Sequence, residues 1–241
     1  MTRVLITGGG SGTGADMARA FAAQGHEVVI TGRDAARLEA VAGGLIRAVP
    51  GDVSDEDQVR RIFDDAGPCQ VVIANAGIAE AAPFARTTLD QFSRIMAVNL
   101  TGVFLTFRQA LSQMGPGGRL IAVSSAAGLR GAAYASAYAA SKHGVMGLVR
   151  SIALEVAAKQ ITANAICPSY LDTEMTGRTL DGIMAKTGRD RDAALAALTA
   201  RNPQGRLIAP AEVTGAALWL ASDAAAGVNG QAIVLDGGES A

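Results

Sequence analysis

Short apolar runs that alternate with helical stretches are the feature that most restricts how this chain can fold. Seven runs are rich in β-branched residues and have the length of strands, namely residues 4–7, 27–31, 45–49, 70–74, 119–124, 162–167 and 231–235. Six intervening stretches have helical spacing, namely residues 12–24, 35–42, 56–66, 89–114, 138–159 and 211–221. Such alternation, with strands that are apolar on both faces, predicts a doubly wound α/β fold whose parallel sheet is covered by helices on both sides.

Composition supports one well-packed domain and excludes several function classes. The chain has 241 residues, 49% hydrophobic and 18% charged, so we predict a single domain over residues 1–241. A net charge of -1 gives no electrostatic footprint for nucleic acid or an anionic membrane. The N-terminus contains no apolar run long enough for a signal peptide or a membrane span, which predicts a cytoplasmic protein. Cys69 and Cys167 are far apart and predict buried thiols rather than a metal or redox site.

A glycine-rich turn follows the first predicted strand directly. Gly8, Ser11, Gly12, Thr13 and Gly14 lie in this turn, at the start of the first predicted helix. Glycines let the backbone approach a pyrophosphate, and the N-terminus of the helix that follows attracts its negative charge. The spacing differs from G-x-G-x-x-G, because three residues separate Gly8 from Gly12. The turn predicts a dinucleotide site and a Rossmann-type sheet of seven parallel strands.

Tyr138 and Lys142 stand four residues apart in a predicted helix. Residues with this spacing share a helix face, so the ammonium group can lie beside the phenol. A free phenol has a pKa of about 10. We expect the neighbouring cation to lower the pKa of Tyr138 towards the range where a tyrosine exchanges protons at neutral pH.

In addition to the glycine turn and the Tyr138-x-x-x-Lys142 spacing, the chain contains Asn75-Ala76-Gly77 after the fourth predicted strand, then Asn99 and Ser125. In this order, the motifs resemble those of the short-chain dehydrogenase/reductase family. The resemblance spans essentially the whole chain and is nearest to bacterial 3-oxoacyl-thioester reductases and 3-hydroxyacyl dehydrogenases.

The resemblance implies a catalytic group of four residues and no metal. Tyr138 would be the general acid in ketone reduction, and Lys142 would lower its pKa and bind the nicotinamide ribose. Ser125 would polarise the substrate oxygen, and Asn99 would hold a water that links Lys142 to solvent. The adjacent Ser124 is an alternative to Ser125.

The resemblance also implies the cofactor contacts. They are Gly8, Ser11, Gly12, Thr13, Gly14, Arg33, Asp52, Val53, Asn75, Ala76, Gly77, Tyr138, Lys142, Pro168, Leu171 and Thr173. NADP is favoured because Gly32 stands where an acidic residue would bind a ribose hydroxyl, and Arg33 beside it can neutralise a 2′-phosphate. Asp34 keeps NAD open, since a shift of one residue would bring its carboxylate to the ribose. Asp52 could instead be only a turn former.

Two features near the sixth predicted strand bear on the substrate. Where the family usually has Pro-Gly, this chain has Pro168-Ser169, which leaves the local backbone geometry open, and Tyr170 would add a pocket wall. Residues 172–201 mix polar and apolar residues at helical spacing and predict an insertion that forms a substrate lid.

These features together predict an NAD(P)-dependent oxidoreductase that transfers hydride between a nicotinamide and a carbonyl or secondary alcohol. The expected substrate is a 3-oxoacyl thioester, on an acyl carrier protein or coenzyme A, or a similar small ketone. One alternative is an NAD-dependent dehydrogenase of 3-hydroxyacyl compounds or of alicyclic or sugar alcohols. Another is a dinucleotide-sensing protein without catalysis.

The predicted helices over residues 89–114 and 138–159 are apolar on more than one face. Their apolar residues include Val103, Phe104, Phe107, Val145, Met146, Leu148, Val149 and Ile152. Helices of this kind must be buried on both sides. The resemblance implies pairing across a two-fold axis, in a homotetramer or a homodimer.

Overall fold

The computed structural model describes residues 2–241 and contains a seven-stranded parallel sheet of order β3-β2-β1-β4-β5-β6-β7. The strands are β1 (Arg3–Thr7), β2 (Glu27–Gly32), β3 (Ile46–Pro50), β4 (Val71–Ala74), β5 (Arg119–Val123), β6 (Thr162–Pro168) and β7 (Ala232–Leu235). The predicted Rossmann-type fold is confirmed, and the predicted strand ends differ by one residue at most.

Helices cover both faces of the sheet. They are α1 (Gly12–Ala23), α2 (Ala35–Glu39), α3 (Glu56–Ala66), α4 (Leu89–Met96), α5 (Gly102–Leu111), α6 (Ser136–Val156), α7 (Glu174–Thr187), α8 (Arg191–Thr199) and α9 (Pro210–Ala221). Successive residues of a strand point to opposite faces. On β1, Leu5 therefore joins a core with Phe63 and Phe107, whereas Ile6 joins the opposite core with Phe21. Burial on both faces explains why the strands are continuously apolar.

The predicted helix over residues 89–114 is interrupted. Helix α4 passes into a π-helical turn at Ala97–Thr101 before α5 begins, and α5 ends at Leu111, three residues early. A π turn inserts one extra residue per turn and re-aims the side chains within it. Asn99 lies in this turn and is fully buried. Sequence periodicity missed the π turn because its apolar pattern fits a continuous α-helix.

Two other predicted helices have different ends. The stretch predicted over residues 35–42 forms only α2, which ends at Glu39. Helix α6 begins at Ser136 rather than at Tyr138, and a short 3₁₀ turn at Ala157–Lys159 completes the stretch predicted to 159.

The strand order places the carboxyl ends of the strands around one crevice. Strand β1 lies between β2 and β4. Strands β2 and β3 are added on one side of β1, and strands β4 to β7 are added on the other side, so the strand order reverses direction at β1. Ligands of open α/β sheets bind outside the carboxyl ends of the strands at such a switch point.

The stretch over residues 172–201 folds into α7 and α8, which pack against each other. A parallel bridge between Leu171 and Ile208 joins the two ends of this region. Its action as a substrate lid stays a prediction.

Across residues 2–241, none of the helices combines the length and apolar character that a membrane-crossing helix needs.

Candidate active site

The glycine turn after β1 needs glycine for steric reasons, as Gly8 and Gly14 illustrate. Gly8 has a φ of 68°, and a Cβ there would come within 2.9 Å of the Ala76 Cα. A Cβ on Gly14 would lie only 2.2 Å from the Gly8 carbonyl oxygen. Helix α1 begins at Gly12, and the Ser11 side chain caps none of its N–H groups. The turn therefore leaves space and free donors where a dinucleotide phosphate fits.

The loop after β4 is tied to this turn. The backbone N–H groups of Asn75 and Ala76 both donate to Thr7 Oγ1 at 3.0 Å. Asn75 Nδ2 donates to the carbonyl oxygen of Thr7 at 2.9 Å. A Cβ on Gly77 would lie 3.4 Å from Asn99 Oδ1 and 3.6 Å from Lys142 Nζ. The structure thus brings the Asn75–Gly77 segment from the glycine turn to the predicted catalytic residues.

Asn99 fastens this loop to α6. Its Oδ1 accepts from the Ile78 N–H at 2.8 Å, and its Nδ2 donates to the Ile78 carbonyl at 2.9 Å and to Ser141 Oγ at 3.2 Å. These bonds use both donors of the amide, so the Asn99 side chain positions the loop. The water that Asn99 is predicted to hold stays a prediction.

Lys142 is buried at the carboxyl end of β5, with 4% of its surface exposed. Its Nζ donates to the Val123 carbonyl at 2.9 Å and lies 5.7 Å from the centre of the Tyr138 ring. Burial disfavours the charged amine and lowers the pKa of Lys142 to about 8.

The two adjacent serines have different partners. Ser124 Oγ donates to the Lys142 carbonyl at 3.3 Å, beneath α6. Ser125 Oγ accepts from the Ala127 N–H at 3.1 Å and donates to the Pro168 carbonyl at 3.4 Å. Ser125 is the serine whose side chain interacts with the Tyr138 hydroxyl and works to lower the pKa of Tyr138. The geometry therefore favours Ser125 over Ser124 as the substrate-side hydroxyl.

The pKa of Tyr138 is shifted in the direction opposite to the one expected from the neighbouring Lys142. Burial is the largest influence on Tyr138 and raises its pKa, with the Ser125 hydroxyl opposing this effect. Removing the phenol and the amine from water disfavours both charged forms. The sequence shows that the two groups share a helix face, but it does not show how deeply α6 buries them.

Arg33 and Asp34 are neighbours after β2, but their side chains have different surroundings. Asp34 is the N-cap of α2, and its Oδ1 accepts from the Arg37 N–H at 3.1 Å. The Asp34 carboxylate is therefore engaged in helix capping, while Arg33 is exposed beside it. Gly32 ends β2, as the resemblance implied.

Arg37 is a candidate cofactor contact that sequence reasoning missed. A Cβ on Gly10 would lie 3.2 Å from the Arg37 Cβ, so Arg37 adjoins the glycine turn. Its Nη1 also lies 3.0 Å from Glu174 Oε2 at the start of α7. The available signal was its position four residues after Arg33, in the helix predicted over residues 35–42.

Asp52 and Val53 follow β3, and the structure gives each a structural contact. Asp52 Oδ1 accepts from the N–H and the hydroxyl of Ser54, at 2.9 and 2.7 Å, so Asp52 does form a turn. Val53 is buried against α5, where a Cβ on Gly102 would approach Val53 Cγ2 to 2.9 Å. Their adenine contacts stay predictions.

The segment after β6 reaches the glycine turn from the other side. Thr173 Cγ2 would lie 3.6 Å from a Cβ on Gly12, whereas Leu171 forms the bridge to Ile208. Ser169 has no positive φ, so the serine fits the backbone without strain. Pro168 meets Ser125 through its carbonyl. Pro168 thus contacts Ser125, and Thr173 lies beside the glycine turn.

The Tyr134 side chain is 68% exposed, on a loop where its own φ is 63°. This exposure separates Tyr134 from the buried group around Lys142.

Residues 8–240 match a family model described as "Enoyl-(Acyl carrier protein) reductase". The chain is 38% identical over 241 residues to the 3-oxoacyl-[acyl-carrier-protein] reductase MabA of Mycobacterium tuberculosis, and the match covers 98% of this chain and 91% of that protein. It is 37% identical to the D-beta-hydroxybutyrate dehydrogenase of Cupriavidus necator, with coverages of 97% and 96%. A crystal structure of an actinorhodin polyketide ketoreductase with NADPH superposes with a TM-score of 0.91 at 30% identity, with coverages of 99% and 97%.

The fold and the matches identify the class of protein. The chain belongs to the short-chain dehydrogenase/reductase family. It is an NAD(P)-dependent oxidoreductase, as the sequence predicted, and a dinucleotide-sensing protein without catalysis is not favoured.

The two serines provide a matched test of the site. Ser125→Ala should lower kcat for ketone reduction by about 100-fold or more, because it removes a donor to the developing negative charge on the substrate oxygen. Ser124→Ala should instead cost about 1 kcal/mol of stability, because it removes one hydrogen bond beneath α6. Steady-state kinetics and thermal unfolding of both variants measure the two effects. Equal loss of kcat in both variants would contradict the assignment.

Proposed function

We propose that this chain is an NADPH-dependent reductase of 3-oxoacyl thioesters or similar small ketones. The observation that carries the proposal is the convergence of Ser125, Tyr138 and Lys142 at the carboxyl end of β5, next to the glycine turn. The named activities of its relatives, a 3-oxoacyl-[acyl-carrier-protein] reductase and a polyketide ketoreductase, support a keto group on an acyl chain as substrate.

Tyr138 is the proton donor in this proposal. When bound, the nicotinamide supplies the hydride for a carbonyl carbon. Ser125 would hold the carbonyl oxygen by a hydrogen bond. Tyr138, which its raised pKa keeps protonated at neutral pH, would donate a proton to the same oxygen.

The same surroundings hold the dinucleotide in this proposal. The backbone N–H groups at the start of α1 would bind the pyrophosphate, and Asn75–Gly77 with Thr173 would line the crevice. Lys142, which is fixed by the Val123 carbonyl, would bind the ribose hydroxyls. Asp52 and Val53 would contact the adenine, and Pro168 with Leu171 would support the nicotinamide end.

Three charges at the adenosine end support NADP over NAD. Arg33 is exposed directly after β2, and Arg37 adjoins the glycine turn. Either guanidinium can pair with a 2′-phosphate. The competing carboxylate of Asp34 is engaged as the N-cap of α2 and is paired with Arg37, which weakens its claim on a ribose 2′-hydroxyl.

A panel of ketones offered with NADPH and with NADH tests the activity and the cofactor preference together. We expect turnover of acetoacetyl-coenzyme A or ethyl acetoacetate with NADPH, and slower turnover with NADH. Tyr138→Phe should lower kcat by about 100-fold to 10,000-fold, because it removes the proton donor. It should retain NADPH binding, measured by fluorescence titration.

Arg33→Ser is the matched variant for cofactor choice. It should reduce kcat/KM with NADPH while leaving the reaction with NADH in place, because only NADPH carries the phosphate that Arg33 would meet. Full activity of Tyr138→Phe would contradict the reductase mechanism, and a wild-type preference for NADH would contradict the assignment of NADP.

We also propose a homotetramer or a homodimer. Val103, Phe107, Val145, Met146 and Val149 are buried within the chain, so they belong to the inner apolar faces of these helices. Four apolar side chains on α4, α5 and α6 are exposed by 40% or more, namely Leu89, Phe92, Phe104 and Leu154. Apolar residues that cluster on a helical surface mark an interaction site. A cytoplasmic location stays a prediction from the sequence.

Sedimentation tests the assembly. The wild-type chain of 24.4 kDa should sediment at two or four times this mass. Leu154→Arg should shift the mass towards the monomer, because Leu154 is 84% exposed and a buried charge in the interface is costly. The control, Leu45→Arg next to β3, should not. A monomeric wild type would contradict the proposal.

A further inference from the structure

The C-terminal tail turns back sharply after β7. Asp236 Oδ1 accepts from the Gly238 N–H at 2.9 Å, and Asp236 Oδ2 accepts from the Ser240 hydroxyl. Gly237 and Gly238 have φ values of 65° and 95°, which reverse the direction of the chain. A Cβ on Gly237 would lie 2.1 Å from Asn202 Oδ1, so the turn is pressed against the segment that follows α8.

This turn places the Glu239 carboxylate between the loop after β5, which carries Arg130, and the segment after β6, which carries Ser169. The Glu239 side chain is only 4% exposed. One of its oxygens accepts a hydrogen bond from Ser169 Oγ, and the other forms an ion pair with Arg130 Nη2. A carboxylate withdrawn from water to this degree needs such partners, and here both of its oxygens have one.

The same two loops hold Ser125. Arg130 lies five residues after Ser125 on the loop between β5 and α6. Ser125 Oγ donates to the carbonyl of Pro168, which directly precedes Ser169. The Glu239–Arg130 pair is therefore anchored on the same two segments that position Ser125, which would hold the substrate oxygen. Burial raises the pKa of the neighbouring Tyr170, and Glu239 adds to this effect.

Glu239 neutralises a guanidinium that could otherwise bind an anion. Arg130 is largely withdrawn from solvent, and its buried Nε has no hydrogen-bond partner in the part of the chain described. Without Glu239, Arg130 would offer a fork of donors suited to a carboxylate. With Glu239 in place, the pair is neutral, and a substrate carboxylate nearby would be desolvated without a counter-charge.

We propose that Glu239 is a specificity-determining residue that occupies Arg130 and thereby excludes free 3-oxo acids in favour of neutral 3-oxo esters and thioesters. The inference rests on the proposed ketone reduction. Ser169, which stands where the family usually has glycine, contributes the hydroxyl that holds the second oxygen of Glu239. The Ser169 hydroxyl and the Arg130 guanidinium thus hold the Glu239 carboxylate together.

Acetoacetate and ethyl acetoacetate are the probes, because they share the ketone and differ in the charge. We compare KM and kcat for both with NADPH in the wild type, Glu239→Gln and Arg130→Met. In Glu239→Gln, KM for acetoacetate should fall about tenfold relative to KM for the ester, as expected for a new hydrogen bond to a charged group. In Arg130→Met, KM for acetoacetate should rise relative to KM for the ester, because Glu239 is left without its counter-charge.

Glu27→Gln is the matched control. Glu27 also pairs with an arginine, Arg3 at 2.8 Å, but at the amino-terminal ends of the strands. It should leave the acetoacetate-to-ester ratio unchanged. An unchanged ratio in Glu239→Gln, or equal shifts in both KM values, would overturn the inference.

The outcomes also separate this inference from the proposed function. If the wild type reduces neither ketone, the proposed function fails. Calorimetry with NADP⁺ and acetoacetate then decides the inference: binding to Glu239→Gln but not to the wild type supports it, and equal binding overturns it. If Glu239→Gln does not fold, the ratio in Arg130→Met decides, and a ratio equal to that of the wild type overturns the inference.

Discussion

The structure depends on burying one ammonium group at the carboxyl end of a parallel sheet. Lys142 can lie there because the Val123 carbonyl at the end of β5 accepts from Nζ at 2.9 Å. Asn99 and Gly77 pack next to the same group, and Ser124 holds its backbone. An unpaired charge at this depth would cost several kcal/mol. The π turn, the loop after β4 and the start of α6 are therefore arranged around the charge that the dinucleotide is proposed to meet.

The same sheet edge brings together charges from distant parts of the sequence. Arg37 joins α2 to Glu174 of α7 across the glycine turn, and Arg130 joins the loop after β5 to the C-terminal Glu239. The first pair flanks the adenosine end of the crevice, and the second flanks the substrate end. The first pair connects α7 to α2, and the second connects the C-terminal tail to the loop after β5. We interpret the two pairs as the places where this chain adapts a common fold to its own cofactor and substrate.

The sequence predicts the sheet, and the helix shared by Tyr138 and Lys142, for identifiable reasons. Burial on both faces makes strands such as Val71–Ala74 continuously apolar, and the four-residue spacing of Tyr138 and Lys142 is a local property of a helix. What it misses depends on long-range packing. The π turn around Asn99, the pairing of Arg130 with Glu239 and the raised pKa of Tyr138 all arise from contacts between segments that are far apart in the chain.

The central claim is that burial keeps Tyr138 protonated, so that it acts as a proton donor beside Lys142. The chain has three tyrosines, so NMR of the protein labelled with ¹³C at tyrosine Cζ can follow each phenol after assignment with Tyr134→Phe and Tyr170→Phe. A titration of this sample measures the pKa of Tyr138 directly. The account predicts that Tyr138 stays protonated past the ordinary tyrosine pKa of about 10. Ionisation of Tyr138 near neutral pH would contradict it.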